Sequence, residues 1–160
     1  MDNKEQIKKL RDNTELAMAS YGYFHLTDKT YKHNDKDEKR LNEFKDNFKK
    51  YKSNENQRDI TYADILDITY KYYLDDNDKP KDGFFDDRLF DGDFSPLQAK
   101  QFFERYDLLE YYPKDNSKGF HACLFQDRES KEYTLAIRGS FDSTDYTTDF
   151  VNLFKDSANP

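Results

Sequence analysis

Among the residues able to do chemistry, Arg138-Gly139-Ser140 stand out by their position. The apolar run Tyr133-Thr-Leu-Ala-Ile137 leads straight into them, and a polar, cap-rich segment, Asp142-Ser-Thr-Asp145, follows. A loop that stabilises the developing alkoxide of a tetrahedral intermediate must aim a backbone N–H, often with a hydroxyl, from the tip of a rigid strand. Removing one such donor typically costs about 3 kcal/mol of transition-state stabilisation. A glycine just before the donor allows an unusual turn and the close approach of a ligand. Ser140 is therefore the candidate oxyanion-hole donor. Taken alone, the same tripeptide also describes a plain strand-to-loop turn, which is the commoner case.

No nucleophile is apparent to accompany it. The five glycines are Gly22, Gly83, Gly92, Gly119 and Gly139, and no two are four apart, so no G-x-S-x-G elbow exists in the sequence. Ser140 cannot itself serve as nucleophile without a base beside it. His25, His33 and His121 fall at a helix end, in a polar link and in a strand, a scatter that suits structural or solvated histidines. They show no metal-ligand spacing. Cys123 is the only cysteine; it alternates with apolar residues and reads as a packed core thiol. The acidic stretch 75–82 invites a calcium site, but Lys79 occupies a ligand position and the required glycine is absent. No metal and no cofactor are expected.

The elements that must position these residues follow from pattern. Ile7, Leu10, Thr14, Ala17, Met18 and Tyr21 keep three-four spacing and predict an amphipathic helix over 3 to about 26. Leu41, Phe44, Phe48 and Tyr51 predict a second helix within 36–52. Thr61 is a plausible N-cap for a third, with Tyr62, Ile65, Leu66, Thr69 and Tyr73 on one face. Residues 75–93 read as an irregular loop pinned by Phe84, Phe85, Phe90 and Phe94. Ser95-Pro96-Leu97-Gln98 announces a helix, with serine as N-cap, proline at the first helical position and glutamine closing a capping box. Its inner face would hold Ala99, Phe102, Phe103 and Tyr106. Two strands, 119–126 and 132–137, joined by a loop of hairpin length complete the pattern. The nearly continuous apolar run 134–137 predicts a strand covered on both faces.

Composition narrows the function classes. The 160 residues carry 26 basic and 33 acidic side chains, a formal charge of −7, and the two signs are well mixed. No basic stripe is available to neutralise phosphates, so nucleic acid is not an expected partner. Thirteen Tyr and 14 Phe offset a low apolar fraction and make a core feasible. No run reaches membrane-spanning length, and 1–6 lacks the apolar region of a signal peptide. A cytoplasmic location is the default expectation, with export by a signal outside these residues left open.

Taken together, residues 98–107, 119–127 and 131–140 resemble bacterial lipase class 3-type (phospho)lipases and esterases of the α/β-hydrolase superfamily. In that family a similar helix leads to a hairpin, an R-G-T or R-G-S loop and an aspartate-bearing helix start, here Asp142, Asp145 and Asp149. Residues 15–24 look like the family's leading helix, while 27–93 have no counterpart. The resemblance implies an α/β fold: N-terminal helices, then the first strands of an incomplete α/β-hydrolase sheet. It implies a helical cap region over 1–93 and the start of the hydrolase core over 94–160. It also implies that the triad acid and histidine, which follow the nucleophile in chain order, are missing with it.

The expected function is an N-terminal fragment of a lipase-type serine ester hydrolase, carrying the oxyanion loop and inactive alone. A lipid or ester would be its substrate only once the absent part is supplied. The alternative is a non-catalytic interaction protein, a degenerate hydrolase acting as decoy or inhibitor. In that case the uncovered sheet edge would self-associate or meet a protein partner.

Overall fold

A computed structural model describes residues 2–51, 58–74, 77, 79, 88–112 and 121–138. The first helix, α1 (Asn3–Ala19), is capped by Asp2, whose carboxylate accepts from the Lys4 and Glu5 N–H groups. It stops at Ala19 rather than near residue 26. The chain turns at Gly22, where a Cβ would lie 2.8 Å from the Phe24 ring and 3.0 Å from Ile65 and Leu66. A short 3-10 turn, Phe24–Thr27, follows.

Helix α2 (Asp35–Tyr51) inserts Phe44 and Phe48 into the core. Helix α3 (Tyr62–Leu66) opens as expected at Thr61, which forms a capping box with Asp64, but it is far shorter than its apolar stripe predicts. The Leu66 carbonyl accepts the N–H of Phe94 at 2.9 Å, and Asp67 caps a separate 3-10 turn, Ile68–Tyr70. Helix α4 (Pro96–Arg105) has the predicted Ser95–Gln98 capping box and proline, with Ala99 and Phe102 buried.

Three strands follow. Strand β1 (Tyr106–Tyr112) begins directly where α4 ends, so Tyr106 belongs to a strand and not to the helix face predicted for it. It was hidden because Asp107 and Glu110 interrupt its alternation, and a bulge shifts the register between Leu108 and Glu110. Strands β2 (Ala122–Asp127) and β3 (Tyr133–Ile137) form the expected hairpin. The order is β1-β2-β3, antiparallel throughout, and the whole is a mixed α/β architecture.

One sheet face carries Tyr106, Tyr111, Cys123, Phe125 and Ala136 into a single buried cluster that also takes in Phe24, Phe44, Leu66, Phe90, Phe94 and Phe102. Cys123 lies inside it, and burial pushes its thiol up to about 12, which leaves it protonated and unreactive at neutral pH. The opposite face is not covered as the apolar run predicts: Leu135 and Ile137 are 60% and 56% exposed. Strand β3 pairs only with β2 among the described residues, and Tyr133, Leu135 and Ile137 on its outer face are exposed.

Candidate functional site

The predicted stripe of α1 does not enter the core. Leu16 and Ala19 do, whereas Ile7 and Leu10 are 68% and 69% exposed, and Met18 is exposed as well. The C-terminal half of that stripe instead forms one wall of a cleft of about 580 Å³, in which Ala17, Met18 and Tyr21 face Arg88, Asp91 and Asp93.

The opposite wall is an irregular strip, 88–94, held by backbone pairing. The Leu89 N–H donates to the Lys71 carbonyl at 2.8 Å, and the Ile68 N–H to the Phe94 carbonyl at 2.8 Å. Phe90 and Phe94 anchor the strip in the core, as predicted for them, while Phe84 and Phe85 lie outside the described residues. Gly92 lets the strip lie directly on the end of α3; a Cβ there would sit 2.3 Å from the Leu66 carbonyl carbon. Asp91 and Asp93, on either side of Gly92, both border the cleft.

The charges here are unevenly satisfied. Arg88 donates to Oδ1 of Asp91, and Lys71 donates to Asp93. Oδ2 of Asp91 has no hydrogen-bond partner although the residue is only 3% exposed. Behind the wall, the Arg40 Nε–H donates to the Arg88 carbonyl at 3.3 Å, and its Nη1 reaches Asp37 at 3.4 Å.

Asp37 is the centre of a second polar group that sequence reasoning did not assemble. Its Oδ1 lies 3.2 Å from Nε2 of His25, and its Oδ2 lies 4.0 Å from Nδ1 of His33. Burial opposes ionisation of Asp37, but the His25 hydrogen bond, the His25 and Arg40 charges and the Asn34 N–H together hold its carboxyl below the usual range. Asn34 and Asp37 exchange reciprocal bonds at the start of α2, so the group caps that helix. His25 and His33 thus come together at one carboxylate, and His121 lies elsewhere, at the entry to β2. Among the described residues no cluster of three or more His, Cys, Asp or Glu can hold a metal ion. The acidic stretch 75–82 lies outside them apart from Asn77 and Lys79.

A third charged group closes on itself. Arg105 donates to Asp12 at 2.7 Å and to Asp127 at 2.9 Å, tying α4 to α1 and to the hairpin. The Arg105 hydrogen bond holds the Asp12 carboxyl down at about 2 despite partial burial. Asp127 is lowered by the Ser130 N–H first, with Arg105 and the Glu129 N–H adding to it.

Of the predicted oxyanion loop, Arg138 is described and Gly139 and Ser140 lie outside the described residues, as do Asp142, Asp145 and Asp149. The Arg138 N–H donates to the His121 carbonyl at 3.0 Å, continuing the hairpin. Its guanidinium lies 5.9 Å from the Tyr21 ring centre, at the limit of a cation–π contact. Tyr21 lines the cleft, so the residue that opens the Arg-Gly-Ser loop sits next to the cleft wall. No pattern in the sequence singled out Asp91; its partner is Arg88, three residues back, and the strip that carries both is placed by the packing of Gly92 on Leu66. No helix among the described residues is long and apolar enough to cross a membrane. No family model, curated protein or solved structure matches the chain.

Proposed function

We propose that these residues are the oxyanion-loop portion of a lipase class 3-like ester hydrolase, in which Ser140 donates to the developing alkoxide and the nucleophile, acid and histidine come from elsewhere. The observation that carries this reading is the adjacency of Arg138, which leads into Gly139-Ser140, to Tyr21 and the α1 cleft. A polarising loop needs a neighbouring groove to hold the rest of the substrate, and an apolar wall suits an acyl or alkyl chain. The run from α4 through the β2–β3 hairpin supports the same reading.

The purified 160-residue chain is expected to show no turnover of p-nitrophenyl butyrate or phospholipid above buffer, and no labelling by a fluorophosphonate. Turnover blocked by that reagent would contradict the claim that the nucleophile is absent. A coding sequence that runs past codon 160, in frame or frameshifted, into G-x-S-x-G would support it.

A second reading, a non-catalytic interaction protein, is favoured by the open face of β3, where Tyr133, Leu135 and Ile137 are all exposed. Apolar strand surface of this kind is an association site. Light scattering after size exclusion separates the two: a stable monomer counts against it, and co-purification with a hydrolase supports it.

A further inference from the structure

Strand β3 ends the sheet among the described residues, and its backbone bonding alternates. The Arg138 N–H donates to the His121 carbonyl and the Asp127 N–H to the Glu132 carbonyl, so the even-numbered residues of this run bond to β2. The N–H and C=O groups of Tyr133, Leu135 and Ile137 therefore point away from β2. The same three residues carry the exposed apolar side chains of the outer face. Neither proline nor a charged residue, which usually blunt a sheet edge, occurs within Tyr133–Ile137. We propose that β3 pairs antiparallel with β3 of a second copy about a twofold axis at Leu135, giving a symmetric dimer with a continuous six-stranded sheet. This rests on the second reading above, whose partner it names, and is independent of the hydrolase reading.

The register follows from the strand itself. Only the outward-pointing residues can bond across the edge, and centring on Leu135 is the register that uses all three. Leu135 then faces Leu135 of the second copy, and Tyr133 and Ile137 face each other on either side of the axis. Each of these pairs exchanges two backbone hydrogen bonds. On the outer face the new pairs extend the Leu124–Leu135 and Ala122–Ile137 pairs of the hairpin. On the other face the same register sets Glu132 opposite Arg138 of the second copy, and Arg138 opposite Glu132 in return. Opposite charges placed directly across a ladder favour the pairing. A slip of two residues loses both charge pairs and carries the pairing beyond the apolar run. An unrelated strand could meet the edge, but only the chain's own strand matches it in apolar centre and in both flanking charges.

Cysteine cross-linking reads this register at exposed positions that tolerate substitution. The Cα atoms of a hydrogen-bonded pair lie about 5.5 Å apart, within disulfide reach. Cys123, the only cysteine of the chain, is buried and should not react. Leu135→Cys should give a covalent dimer under copper phenanthroline. Tyr133→Cys alone and Ile137→Cys alone should not, because each would lie about 14 Å from its own copy at 3.4 Å per residue. An equimolar mixture of those two variants should cross-link. In light scattering after size exclusion, the wild-type mass should rise towards twice the monomer with concentration. Leu135→Lys should weaken the dimer at least tenfold, and Glu132→Lys several-fold. A monomer mass at the highest soluble concentration overturns the proposal, as does Tyr133→Cys cross-linking alone as readily as Leu135→Cys. With a dimer present, the wrong cross-linking pattern overturns the pairing and leaves the interaction reading standing. Ester turnover bears on the hydrolase reading and leaves the pairing untouched.

Discussion

Two clusters of Arg and Asp flank α1, and they are built differently. In the Arg105 cluster both carboxylates, Asp12 and Asp127, receive the guanidinium, and the Asp127 side chain also accepts the Glu129 and Ser130 N–H groups. In the Arg88 cluster one buried oxygen of Asp91 receives nothing. The first joins three elements and is complete; its work is to hold α1, α4 and the hairpin together. The second borders the α1 cleft and leaves one buried carboxylate oxygen without a hydrogen-bond partner. Residue type does not tell the two apart. Completeness of partners does: a buried carboxylate oxygen left without a donor is costly, so the Arg105 group stabilises the fold more than the Arg88 group.

Substitutions can break this contrast at different points. The largest effect is expected at Gly92→Ala, where the new methyl meets the Leu66 backbone at 2.3 Å and the strip must move. A loss of about 3 kcal/mol or more in urea unfolding is expected, together with loss of the cleft wall. A wild-type midpoint would show that Asp91 is not held by this contact.

Arg105→Ala should cost about 2 kcal/mol, since it leaves two carboxylates without their shared partner. Its cost should also depend on pH. The Asp12 carboxyl is lowered from its usual 3.8 to about 2, so the folded state favours the ionised form. That stabilisation is fully present above about pH 4 and is lost as pH falls through about 2. The stability gap between wild type and Arg105→Ala should therefore narrow between pH 4 and 2. A gap that is constant over this range would show that the Asp12 charge is not involved.

Leu135→Lys sits on the open face of β3 and should change stability by no more than about 0.5 kcal/mol. Any self-association through that face should weaken, as seen by light scattering.

The parts of the fold legible in the sequence are those fixed locally. Ser95-Pro96 and Gln98 define the start of α4 through bonds spanning three residues, and Thr61 does the same for α3. The β2–β3 hairpin was readable from its loop length and alternation. What stayed hidden depends on contacts far apart in the chain. Helix α3 ends at Leu66 because the strip around Gly92 takes its carbonyl, and no residue near 66 signals this. The α1 stripe was visible, but its partner was not: spacing shows that a face is apolar and leaves open whether it meets the core or a cleft. Arg138 was legible as the entry to the predicted loop, whereas the Arg88–Asp91 pair was not, because it depends on how the strip packs on α3 at Gly92.

The most direct test of the central claim is turnover by the purified 160-residue chain. The account predicts no hydrolysis of p-nitrophenyl butyrate above buffer and no labelling by a fluorophosphonate, and hydrolysis blocked by that reagent would contradict it.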